Sequence, residues 1–174
     1  PCEIFWASGA CFFIRADIFR SLKGFDARFF AHMEEIDLCW RIHNRGFRVA
    51  CQPASVVYHV GGGTLSAENP FKTYLNFRNN LAMMFKNLPP KYLFPLLFMR
   101  LALDGVTGIR FLLQGSVSNL WAILKSHFMF YRWLPYLNRN RSKSFNGFKK
   151  LYSGSVVWNY FVKSTTRILL PIAF

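Results

Sequence analysis

Negative charge is what this sequence has least of. Its 174 residues include 22 Lys and Arg but only eight Asp and Glu, a formal net charge of +14. The shortage is local. Residues 1–70 hold seven basic and seven acidic side chains, whereas residues 71–174 hold fifteen basic ones and a single acid, Asp104. The whole excess therefore sits in the C-terminal part, and such asymmetry points to a polyanionic partner for it, a membrane surface or a nucleic acid.

Other absences narrow the class further. Cys2, Cys11, Cys39 and Cys51 form no Cys-x-x-Cys pair and no Cys/His spacing suited to zinc, so buried, reduced thiols are expected. No apolar run reaches the ~18 residues that a spanning helix needs. The longest uncharged stretch of the tail, 111–124, is broken by Gln114, Ser116, Ser118 and Asn119. There is no internal repeat and no low-complexity tract. The chain opens Pro1-Cys2-Glu3, without an initiator Met, and is expected to be the C-terminal part of a longer one.

What the sequence does have is an acidic cluster where acids are scarce. Glu34, Glu35 and Asp37 follow Phe29-Phe30 and precede Cys39-Trp40. Carboxylates crowded against aromatics are costly unless solvated, paired or used. The surrounding pattern places them at a helix start. The mostly apolar run 5–14 suits a buried strand, and 15–23 reads as a short helix closed by Gly24. A second helix is expected over 34–45, stopped by Gly46, with its acids in the first turn and Asp37 one turn from Arg41. Residues 47–51 and 55–60 are short strand candidates, followed by a loop at Gly61-Gly62-Gly63-Thr64. Helices and strands that alternate in this way suggest part of an α/β domain over 1–69.

A different pattern holds over 70–174. Asn69-Pro70 supplies an N-cap and a first-position proline. The helix it starts carries an apolar stripe, with Lys72, Asn76, Asn79, Asn80 and Lys86 expected on the remaining surface, and ends at Leu88-Pro89-Pro90. Residues 91–113 are strongly apolar, and a further stripe runs from Val117 to Tyr131, before Pro135. Residues 138–150 form a basic, irregular patch, and a last amphipathic stretch covers 156–170. Apolar, aromatic and basic helices too interrupted to span suit the interface plane of a bilayer, although packing into a helical domain accounts for the same stripes.

Several residues can carry chemistry. Glu34 and Glu35 project about 100° apart, so one can face a cleft while the other braces the helix. A carboxylate at a pocket rim is suited to taking a proton from a sugar or alcohol hydroxyl, yet both can equally be helix-start charges. His59, before the three glycines, can ligate a metal or touch a phosphate, or simply end a strand. Ser8-Gly9-Ala10 can admit a ligand to the backbone, or mark a bulge.

Together these elements resemble something specific. Ser8-Gly9-Ala10-Cys11, Ile14-Arg15, Gly24-Phe25-Asp26, Phe29-Phe30, the run Glu34 to Arg41, Gly46 and Tyr58-His59, in this order and spacing, look like the second half of a family 2 glycosyltransferase of the GT-A, Rossmann-like fold. Tyr74-Leu75-Asn76-Phe77-Arg78-Asn79-Asn80 and the basic helical tail are similar to bacterial members that build cell-surface polysaccharides.

The resemblance implies inverting transfer of a hexosyl or deoxyhexosyl group from a nucleotide-sugar donor to a glycan or lipid-linked acceptor, at the cytoplasmic face of the inner membrane. Glu35 stands where the family's presumed base stands, with Glu34 as support or substitute. Trp6, Gly9 and Ala10 match the segment lining the sugar and acceptor site, and Asp37 is counted with the substrate-binding residues. His59 matches a position that helps hold a divalent metal, Mg or Mn. An anionic membrane surface is the expected partner of the tail. Nucleic acid is not, because no nucleic-acid motif is present and the aromatics lie on apolar stripes. The family's Asp-x-Asp metal motif is missing from all 174 residues, so the chain on its own is expected not to transfer sugar. The alternative is a non-catalytic basic helical protein that binds a membrane surface or nucleic acid.

Overall fold

Three long helices follow from three sets of start and stop signals. In the computed structural model, which describes residues 1–59 and 69–151, α3 runs Pro70–Asn87, α4 Pro90–Leu113 and α5 Val117–Arg139. The Asn69 side chain accepts the Phe71 N–H at 2.9 Å, the N-cap expected of Asn before Pro. The helices run up, down and up. Thr73 meets Asn119 near the start of α3 and α5, Phe85 meets Phe130 near their ends, and Asp104 of α4 meets His127 of α5.

Before the bundle come β1 (Cys2–Ile4), α1 (Ala16–Ser21), α2 (Glu34–Asn44) and β2 (Val49–Cys51). Gly24 and Gly46 follow α1 and α2 with φ of +64° and +85°, the left-handed stop that glycine takes without a Cβ clash. The strands pair antiparallel with Cys2 opposite Cys51 and Ile4 opposite Val49, and form the one sheet among the described residues. Beyond the bundle, a 3₁₀ turn at Asn146–Lys150 brings Phe148 onto the Tyr92 ring, 4.6 Å between centroids.

The core ignores the boundary at 69/70. Phe29 and Trp40 from the first segment pack with Leu81, Leu88, Phe130 and Leu137 from the second. Beneath them lies a buried polar network. Asp37, with no exposed surface, accepts from Arg41 Nε at 2.8 Å, Lys86 Nζ at 3.0 Å and Asn87 Nδ2 at 2.8 Å. Lys86 also reaches Asp26 at 2.8 Å, and the Tyr136 hydroxyl donates to the other Asp26 oxygen. Arg41 completes the set by donating to the Leu22 and Gly24 carbonyls. Two carboxylates thus meet two cations, which is how buried charge is tolerated.

Several expectations are corrected here. Residues 5–14 are not a buried strand: they are irregular around a turn at Gly9-Ala10, and Phe13 is 97% exposed. No strand among the described residues pairs with them, so their backbone groups have no ladder to join. Residues 55–59 are irregular and exposed, while Val60, the glycine loop and the stretch 156–170 lie outside the described residues. Three of the four thiols are exposed; only Cys39 is buried. Asn79 and Lys86 are buried, not on the surface, because they serve polar groups inside. α5 continues through Pro135, where the lost N–H bond is offset by burying Leu137 and seating Tyr136 on Asp26.

The network yields a stability prediction. Lys86→Met strips the shared cation from two buried carboxylates and should cost about 3–5 kcal/mol, read as a lowered urea midpoint. Burial works to raise the Asp26 carboxyl, but the Lys86 charge and the bonds from Lys86 and Tyr136 outweigh it and hold the group below its ordinary value of 3.8. Its contribution is therefore complete above that value and lost as pH falls through the lower folded value. Urea midpoints measured downward from pH 5 should fall more steeply in wild type than in Asp26→Asn.

Candidate functional site

The loop that delivers Glu34 and Glu35 is strained and clamped. Phe30, His32 and Met33 have φ of 65°, 68° and 72°, left-handed values that non-glycine residues rarely adopt. Each costs of order 1–3 kcal/mol and persists only where surrounding structure imposes it. Here Asn79 and Arg78 impose it. The fully buried Asn79 amide nitrogen lies 2.9 Å from Phe29 O, 2.8 Å from Ala31 O and 2.8 Å from His32 O. Arg78 adds bonds to Arg28 O at 3.2 Å and Phe29 O at 3.1 Å, while its Nε donates to Asn79 Oδ1. Two adjacent residues of α3 thereby fix the carbonyls of Arg28, Phe29, Ala31 and His32.

At the end of that loop stand three side chains with polar atoms that are shielded from solvent and lack a hydrogen-bond partner: His32 Nε2, Glu34 Oε2 and Glu35 Oε2. Orphaned acceptors gathered at one place are groups a ligand would satisfy. Burial, then the charge of neighbouring Glu35, pushes the Glu34 carboxyl above its ordinary value. Burial and the nearby Lys72 charge hold the His32 imidazole below its ordinary value, against the pull of Glu35, so it is neutral at pH 7.

The segment 5–10 closes one side. A Cβ built on Gly9 would lie 3.8 Å from the Glu35 side chain, ordinary van der Waals distance, so Gly9 faces that stem with room for a methyl group between them. Ala10 N–H donates to Ser8 Oγ at 3.2 Å, which tightens the turn, and Trp6 is 46% exposed beside it. The approach is fixed from below by His43. Its Nε2 lies 2.9 Å from Phe5 O, and its ring stacks on Phe5 with centroids 5.2 Å apart. On the open side, exposed Phe30 contacts Phe71, and Phe71 stacks on Tyr74.

The residues expected from sequence divide accordingly. Gly9 faces the Glu35 side chain, Glu34 is adjacent in the chain, and Trp6 and Ala10 belong to the Gly9 segment. Asp37, expected among the substrate-binding residues, is fully buried and engaged by Arg41, Lys86 and Asn87, the setting of a structural anchor. His59 is exposed, at the edge of the described residues. Among the described residues no group of three or more His, Cys, Asp or Glu side chains is placed to hold an ion, so they do not by themselves fit the divalent metal that the resemblance implies. His32, Arg78 and Asn79 were not singled out as site residues. The signal for Asn79 was its register, since Leu75, Asn79, Ala82 and Lys86 lie on one side of a 3.6-residue helix.

Comparison with known proteins agrees in outline. No family model and no solved structure matches the chain. Two curated proteins of Mycobacterium tuberculosis strains, each named N-acetylglucosaminyl-diphospho-decaprenol L-rhamnosyltransferase, are 37% identical to it over 54 residues. That stretch is 31% of this chain and 18% of each relative, so the match spans less than a fifth of their length. The chain is thus similar, in part, to a glycosyltransferase.

The clamp can be tested alone. Asn79→Ala leaves buried carbonyls of the strained loop without their donor and should destabilise the fold by about 2–3 kcal/mol, with faster amide exchange at residues 30–33. Asn76→Ala, on the same helix but clear of the loop, should stay within about 0.5 kcal/mol of wild type.

Proposed function

We propose that this chain carries the acceptor side of an inverting glycosyl transfer, from a nucleotide-sugar to the hydroxyl of a lipid-linked or glycan acceptor in cell-surface polysaccharide synthesis. The observation that carries this reading is the pair of unpartnered Glu34 and Glu35 oxygens, held by a strained loop against the Gly9 segment. The partial likeness to a rhamnosyltransferase supports the reaction class.

In this reading Glu35 is the base. An acceptor hydroxyl over the Gly9 turn donates its hydrogen bond to Glu35 Oε2. As the acceptor oxygen attacks the anomeric carbon, its proton passes to the carboxylate. The bond from that carbon to the donor phosphate breaks, and its electron pair leaves with the nucleotide diphosphate. Neutral His32 can donate to or accept from a neighbouring sugar hydroxyl. Trp6 offers an aromatic face to the ring. One observation favours Glu34 instead: its carboxyl, raised by burial, is nearer the range in which a general base works well. In the complete protein, Glu35→Gln should lower kcat by roughly 10²–10⁴-fold with donor binding unchanged, and Glu34→Gln should have a smaller effect. The reverse order would transfer the role to Glu34, and full activity in both variants would end the assignment.

The reading also places the chain on a membrane surface, at its cytoplasmic face. α4 exposes Phe94, Phe98, Leu103, Val106 and Ile109, and α5 exposes Val117, Trp121, Leu124, Phe128 and Tyr131. Exposed Arg110, Lys125 and Arg132 flank these stripes, while the one acid of the two helices, Asp104, is buried between Arg100 and His127. Among the described residues no helix is long and apolar enough to cross a membrane. Apolar stripes edged by cations alone suit an anionic bilayer surface, where each Lys or Arg contributes about 1 kcal/mol. The chain should co-sediment with phosphatidylglycerol vesicles and much less with phosphatidylcholine. Trp121→Glu with Phe128→Glu should abolish this. Indifference of the wild-type chain to lipid charge would sink the idea.

A further inference from the structure

A second cleft lies beyond the C-terminal end of α2, away from the carboxylates at its start. Its volume is about 790 Å³, within the range of small-molecule sites. The loop after α1, the end of α2 and the segment leaving α5 form its walls. The floor is electrically balanced, because Arg41 and Lys86 there are paired with Asp37 and Asp26. The walls are not. They carry Lys23, Arg28, Arg45, Arg139, Arg141 and Lys143, and Asp26, already taken by Lys86 and Tyr136, is the one carboxylate lining the cleft.

Six like charges around one concavity repel one another, and low-dielectric walls focus their field. An anion seated in the cleft would relieve that repulsion. Two of the six are already positioned. Arg28 is stacked over the Tyr136 ring, 3.9 Å from its centroid, and Arg141 is held by the Phe85 and Leu88 carbonyls at the end of α3. Burial pushes the Arg141 guanidinium below its ordinary value, so it is desolvated beside neutral carbonyls with no carboxylate to offset it. Asn140, whose amide nitrogen donates one hydrogen to Tyr136 O, lines the same wall, whereas the Ser142 hydroxyl is taken by Asn87.

We propose that this cleft binds a phosphate-bearing anion, either a free organic diphosphate or the phosphate of an anionic lipid headgroup. Guanidinium forks and ammonium groups suit phosphate oxygens, which accept several charge-assisted bonds at once. The cleft differs from the α4 and α5 surface in form: there cations edge exposed apolar side chains along two helices, here they line a concavity. The inference is independent of the transfer reading, because binding is measured without donor, acceptor or turnover.

The test is calorimetric titration of the chain with inorganic pyrophosphate and, separately, glycerol 3-phosphate as a soluble headgroup phosphate. Saturable, salt-sensitive binding is expected. Lys23→Glu, Arg45→Glu and Lys143→Glu together should weaken it about tenfold or more, whereas Lys125→Glu with Arg132→Glu on α5 should leave it unchanged. If the triple variant does not fold, the milder Lys23→Gln, Arg45→Gln and Lys143→Gln combination serves. Tighter binding of pyrophosphate marks a diphosphate site, and equal affinities mark a headgroup site. Absence of saturable binding of either probe, or equal loss in the α5 variant, overturns the proposal.

Discussion

The buried carboxylate of Asp37 is the constraint on which the rest of this structure depends. It sits with no exposure between α2 and α3, and its partners come from both helices. A buried charge network of this kind adds little net stability, but it fixes register, since only one rotation of α2 brings Asp37 to Lys86 and Asn87. That rotation decides what the start of α2 presents. At 100° per residue, Glu35 lies about 200° around the helix from Asp37 and so faces away from α3, towards the Gly9 turn. Glu34 lies about 300° around, close to the Asp37 side. Its carboxyl is raised by burial for that reason. One anchored acid thus assigns different environments to the two acids beside it.

The loop before α2 is the second half of the same arrangement. Three left-handed residues in four positions would not survive in a free chain, and Asn79 with Arg78 holds them by their carbonyls. Lys86 and Asn87 lie two turns further along α3 and hold Asp37. A single helix therefore fixes both the loop and the helix that follows it. The outcome is a site whose carboxylates are positioned before any ligand arrives, the condition under which proton transfer gains most from geometry.

What was legible in the sequence was local, and what was not was tertiary. Gly24, Gly46 and Asn69-Pro70 act within a few residues of themselves, and the helices they bound appeared where expected. The pairing of Asp37 with Arg41 was equally local, one turn apart. The strand expected over 5–14 rested on apolar composition alone, and whether such a run pairs depends on a neighbour that composition does not reveal. Asn79 and Lys86 looked like surface residues because polar side chains on a helix usually are. Their burial is explained only by the carbonyls and carboxylates, some 50 to 60 residues earlier, that they serve. The carboxylate pair itself was visible, but its state was not: whether its oxygens are free or engaged depends on contacts made by the fold.

The +14 charge, read from sequence as one property of the tail, separates in space into two. Along α4 and α5 the cations are interleaved with exposed Phe, Leu, Val and Trp side chains, so charge and apolar area act on the same partner. Around the cleft beyond α2 the cations come partly from the first segment, through Lys23, Arg28 and Arg45, although that segment is neutral overall. Four of its seven acids, Asp26, Glu34, Glu35 and Asp37, are used at the start of α2 and in the buried network, whereas Lys23, Arg28 and Arg45 stand at the opposite end. Net charge per segment thus conceals a dipole along α2, carboxylates where its N-terminus favours them and cations where its C-terminus does. The carboxylate pair at one end of this helix and the cation-lined cleft at the other are two results of the same ordering of charge along α2.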